Sequence, residues 1–189
     1  MYDDKNIFER ELKLPFEFKP EFDQRLNKPH LNFTLKKENQ EFINWLDSKD
    51  IAITHGERFY LTPIKNTYLP IHVDVFLPEQ SDDIVKINFV YCDQDTYINW
   101  YKLKEGVELE TIPTSVNSFY KLVDRDDADL VYTVKTDRPR LINAGIPHDV
   151  YPPVTAHRYS FSFILIKKST GIKLSWNQAL EILSDCIVN

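Results

Sequence analysis

The sequence predicts an all-β sandwich or barrel flanked by helices, and three observations lead there. Six short runs are rich in β-branched and aromatic residues and are bounded by Pro, Gly, Asn or Asp. Two apolar stripes at helical spacing lie outside them, one toward each end of the chain. The 189 residues are 42% apolar and 13% aromatic, enough for one real core, and neither repeat nor linker divides them. A single domain over 1–189 is therefore expected: an N-terminal arm and helix over 1–69, a β core over 70–168, and a C-terminal helix over 175–188.

Taken in order, the first thirty residues are broken by Pro15, Pro20 and Pro29 and read as an irregular arm with one short strand. Lys37 to Asp47 places Phe42, Trp45 and Leu46 at i, i+3, i+4, an amphipathic helix. The strand runs are "YLPIHVDVFLP", "DIVKINFVYC", "VELETIP", "DLVYTVKT", "PRLINAG" and "HRYSFSFILIKK". At the end, Ser175 caps a helix, Gln178 completes a capping box, and Trp176, Ala179, Leu180, Leu183 and Ile187 make its stripe.

Because side chains alternate along a strand, three runs each divide into an apolar and a polar face. His72, Asp74 and Phe76 oppose Ile71, Val73 and Val75; Lys86 and Asn88 oppose Ile87, Phe89 and Tyr91; Arg158, Ser160 and Ser162 oppose Tyr159, Phe161 and Phe163. If the two helices cover the apolar faces, the polar faces converge on a cavity.

A net charge of -6 argues against broad adhesion to nucleic acid or anionic lipid. The basic "IKKSTGIK" reads as a strand end and turn, and "DRDDAD", lacking the glycine and glutamate of a calcium loop, as a solvated loop. Cys92 and Cys186 have no metal-type spacing and read as reduced thiols. With no signal-like start and no membrane-length run, the expectation is a soluble, cytoplasmic protein. Tyr97, Trp100 and Tyr101 read as core, and His157, which alternates away from Arg158, as structural or surface.

The chemistry-bearing pattern starts at His72-x-Asp74, which aims two metal ligands at one point from one strand face. His148 is the candidate for a third, giving two imidazoles and one carboxylate with three open positions, a set suited to non-haem Fe(II). The competing His55-x-Glu57 ranks lower because Gly56 interrupts its strand pattern. Arg158 would hold one carboxylate of a dicarboxylate whose other end chelates the iron, and Ser160 would share its face and donate a hydroxyl.

His72-x-Asp74, His148, then Arg158-x-Ser160 ten residues on, together with "PIHVD", "KINFVY" and "LINAGIPHDV...RYSFSF", resemble the 2-oxoglutarate and Fe(II)-dependent oxygenases. The phrases look most like the aspartyl/asparaginyl β-hydroxylase-like branch, over roughly Pro70 to Ile166. Asp74 is a departure, since the animal hydroxylase of that branch lacks the carboxylate ligand. The resemblance implies a double-stranded β-helix, a jelly-roll or cupin-like barrel with the metal in its mouth. It implies Fe(II), 2-oxoglutarate and O2 as cofactor and cosubstrates, and hydroxylation of a small molecule or peptide. Asn88, facing with the ligands, is expected to contact cosubstrate or substrate. The competing class is a non-catalytic or non-oxidative cupin-like binding or structural protein, indifferent to 2-oxoglutarate.

Overall fold

The computed structural model describes residues 7–20, 30–35, 37–61, 70–75, 84–114, 118–151 and 156–188, with the side chains of His30, Thr54, His55 and Leu61 outside that description. Two antiparallel sheets make up the β structure. The first has the order β1 (Glu9–Glu11), β10 (Arg140–Asn143), β5 (Val85–Cys92), β12 (Arg158–Lys167), β3 (Ile51–Leu61) and β2 (His30–Phe33), with β13 (Ile172–Lys173) paired to β12. The second has β7 (Thr111–Pro113), β8 (Phe119–Leu122), β4 (His72–Val75), β11 (His148–Tyr151), β6 (Tyr97–Leu103) and β9 (Ala128–Lys135). From β3 to β6, and again from β9 to β12, successive strands alternate between the two sheets.

The outward face of the first sheet carries the main apolar core. Ile87 and Phe89 of β5 and Phe161, Phe163 and Leu165 of β12 pack with Phe42, Trp45 and Leu46 of α1 (Gln40–Ser48) and with Trp176, Ala179 and Leu183 at α2 (Trp176–Ile182). Aromatic pairs knit it together, such as Phe18 stacked on Phe89 at 4.2 Å. The capping box is present: Ser175 Oγ accepts from Gln178 N at 3.3 Å, and Gln178 Oε1 accepts from Ser175 N at 2.9 Å. Both expected helices therefore cover the apolar face, which turns the polar face of the same sheet inward.

Several boundaries differ from the sequence reading. Gly56 does not break a strand: β3 runs unbroken through it, with a register shift opposite Phe163/Leu165. A Cβ at Gly56 would run into the rings of Phe33 and Phe163, so glycine is there to let two aromatics pack over the backbone. The N-terminal region is accordingly more than an arm and a helix, because β1, β2 and β3 all pair into the first sheet. The run "VELETIP" forms strand only over Thr111–Pro113. Strands β6, β8 and β11 were absent from the six runs; β11 is four residues long and starts straight after Pro147. Ile187 lies past α2, bridged to Leu12.

Other readings hold. Trp100 and Tyr101 are buried core residues. Ile166 to Lys173 is a strand end, an exposed turn and β13. Asp124, Asp126 and Asp129 are exposed. Cys92 and Cys186 are free thiols. Phe76 and the His55 side chain lie outside the described residues. Among the described residues, no helix is long and apolar enough to cross a membrane.

Candidate metal centre

The two sheets face each other across a small cavity that is open on one side. The second sheet contributes His72 and Asp74 from β4 and His148 from β11; the first contributes Lys86 and Asn88 from β5 and Arg158, Ser160 and Ser162 from β12. Phe59, Ile98, Ile142 and Val150 supply apolar wall. Every site residue singled out in the sequence thus reaches one space.

His72 and His148 are direct partners across the β4/β11 ladder, so their rings share a face, with centroids 4.5 Å apart. Each imidazole bonds through Nδ1 to the carbonyl two residues earlier: His72 to Pro70 O at 2.8 Å, His148 to Ile146 O at 2.9 Å. A carbonyl only accepts, so Nδ1 carries the proton and Nε2 presents its lone pair. Those Nε2 atoms face the carboxylate, His72 at 3.9 Å from Asp74 Oδ1 and His148 at 3.9 Å from Asp74 Oδ2. One ligand atom from each residue lies within 4.8 Å of the others, and all three residues are buried. Two imidazoles fixed in orientation and a carboxylate fit a borderline divalent transition ion, and the carbonyl contacts are the supporting bonds such ligands need. Burial, with His72 alongside, pushes the pKa of His148 down to about 4, which keeps it a ligand rather than a cation at neutral pH.

Asp74 has another partner. Lys86 Nζ lies 2.9 Å from Asp74 Oδ2 and donates to Glu57 Oε2 at 2.8 Å, all three groups being buried. Burial alone would raise the Asp74 pKa, but Lys86, then His72 and His148, hold it below the usual value. Burial opposes the charge on Lys86, and the two carboxylates outweigh it and raise its pKa. Tyr120, the β8 partner of Asp74, packs its ring 4.4 Å from His72.

Arg158 behaves differently. It is 1% exposed, and its Nε donates to Thr96 Oγ1 at 3.1 Å. Its Nη2 is buried and has no hydrogen-bond partner among the described residues. Desolvation lowers its pKa to about 10, which still leaves a charged guanidinium at neutral pH. Ser160 lies two residues further along the same cavity wall. Asn88 is on the wall too, its Oδ1 accepting from Ser162 Oγ at 2.6 Å, which turns its NH2 group away from that bond.

His157 is exposed on the outer side and pairs with Tyr60 OH through Nδ1 at 3.0 Å, as a surface residue should. Sequence reasoning assigned no role to Lys86, Glu57 or Thr96. Lys86 was on the right face, and a lysine alternating with inward polar residues was the available signal. Glu57 was passed over along with its His55 pairing. No family model and no curated protein matches the chain.

Proposed function

We propose that the protein is an Fe(II)- and 2-oxoglutarate-dependent oxygenase, a hydroxylase of a small-molecule or peptide substrate, built on a double-stranded β-helix. The alternation of strands between two antiparallel sheets, with ligands on the neighbouring strands β4 and β11 of one sheet and Arg158 on the sheet opposite, supports that fold. The observation that carries the function is Arg158. A buried guanidinium whose Nη2 has no partner among the described residues is costly, and it opens on the same cavity as the His72, Asp74 and His148 set. A carboxylate offers two acceptors to such a fork.

Charge balance points the same way. Asp74 and Glu57 offset Lys86 and Arg158, so these four buried groups sum to zero. Counting these four groups, a divalent cation alone would leave an excess of two positive charges. A dicarboxylate dianion bound with it restores neutrality, and one end of it answers Arg158. Bound Fe(II) with 2-oxoglutarate and O2 supplies an oxidant that replaces C–H by C–OH while the cosubstrate becomes succinate and CO2.

The chain's own residues then have separable tasks. His72, Asp74 and His148 offer three donors from one side and leave the opposite side open. Arg158, steadied by Thr96, holds the distal carboxylate, with the Ser160 hydroxyl as second donor. Asn88, oriented by Ser162, presents an amide donor to cosubstrate or substrate oxygen. Phe59, Ile98, Ile142 and Val150 exclude water from part of the wall.

A cupin-like binding or structural protein is the second reading, and the Lys86–Asp74 contact favours it, since an ammonium there already satisfies one carboxylate oxygen. Metal stoichiometry separates the two. The oxygenase reading requires one Fe(II) per chain, lost in His72→Ala and His148→Ala, and succinate formation that depends on 2-oxoglutarate. A protein that binds no iron, or binds it while leaving 2-oxoglutarate untouched, belongs to the second class.

A further inference from the structure

Lys86 and Glu57 lie in the first sheet on strands separated by β12, and Ser162 is the residue between Glu57 and Asn88 in the ladder. From β5 the Lys86 side chain reaches two carboxylates at nearly equal distance: 2.8 Å to Glu57 and 2.9 Å to Asp74. Asp74 alone would suffice to neutralise one ammonium. Glu57, buried beside it, draws on the same ammonium.

We infer that Lys86 and Glu57 form a charge balance that sets how tightly the centre holds its metal, Lys86 competing with the ion for Asp74 and Glu57 drawing Lys86 away. This rests on the reading of His72, Asp74 and His148 as a metal centre. Lys86 engages Oδ2, the oxygen on the His148 side, and leaves Oδ1, on the His72 side, to act as donor. The pairing therefore favours one coordinating oxygen over two, which preserves three open positions on the ion. It also places a positive charge beside the ligand, and between buried groups that repulsion is strong. Glu57 offsets it by sharing the ammonium. Lys86 and Glu57 are thus positioning residues, acting on the ion through Asp74.

The test uses the full chain and Co(II) as probe, with dissociation constants from calorimetry and the visible cobalt bands, and thermal stabilisation by Co(II) as a second readout. Glu57→Gln leaves Lys86 wholly on Asp74, and binding is expected to weaken about tenfold. The double variant Glu57→Gln/Lys86→Gln keeps the same net charge as the native pair and frees Asp74, and binding is expected to tighten about tenfold over the native protein. A pair with a merely structural role predicts weaker binding in both. The inference is overturned if the two variants shift in the same direction or if the double variant binds no tighter than native. If the native protein binds no Co(II) at all, the metal reading itself fails, and the inference with it.

Discussion

The two ends of the cavity contrast in how their buried charges are satisfied. Around Asp74 the protein supplies its own counter-charges, with Lys86 held between two carboxylates and both histidines tied to backbone carbonyls. Around Arg158 it supplies a hydroxyl from Thr96 and leaves a buried N–H group without a partner among the described residues. At the first end the charged side chains already answer one another within the protein. On the oxygenase reading, the second end receives a carboxylate.

Stability should divide the same way, and this is the largest expected effect. Lys86→Met removes the ammonium shared by the buried Asp74 and Glu57 and should cost about 3–5 kcal/mol of unfolding free energy. Arg158→Met removes a charge that pairs with no carboxylate among the described residues, so its cost should stay below about 1 kcal/mol, or the variant should gain stability. Urea denaturation of the metal-free proteins measures both. Equal losses would erase the contrast between the ends.

Acid should act through His148 at the first end. Its folded pKa of about 4 lies below the ordinary 6.5, so between those values the unfolded chain binds a proton that the folded chain does not. Stability therefore rises with pH across that window and is lost on acidification, by about 3 kcal/mol for this group alone. The depressed Asp74 pKa adds a further loss as pH falls below the usual carboxylate value. Metal-free denaturation curves at pH 7 and pH 4.5, compared with those of His148→Gln, isolate the histidine: the variant should lose less stability than the native protein.

The smallest effect belongs to the wall between the ends. Asn88→Ala removes one oriented amide donor and should raise the 2-oxoglutarate or substrate KM several-fold, about 1 kcal/mol of binding. Unchanged turnover and KM would remove Asn88 from the site.

How legible all this was in the sequence follows from distance along the chain. The polar faces of β4, β5 and β12 could be read because alternation is a local rule, and those faces do meet in the cavity. The α2 capping box was equally local. The strand β3 was hidden because the reason for Gly56 is a pair of rings from Phe33 and Phe163, neither adjacent in sequence. β11 was hidden by its length, four residues after a proline. The Lys86–Glu57 pair needs two strands placed on either side of β12, which no spacing announces. Arg158 was legible on the polar face of β12, but that its Nη2 lacks a partner among the described residues is a property of the packed interior alone.

The most direct test of the oxygenase account is an anaerobic titration of the Fe(II)-loaded protein with 2-oxoglutarate, following the weak visible charge-transfer band, in the native chain and in Arg158→Ala. The account predicts a saturable band in the native protein and a shift to at least about tenfold higher 2-oxoglutarate in the variant, from loss of a charge-assisted contact. Iron bound at one per chain with no band, or a band indifferent to Arg158, would contradict it.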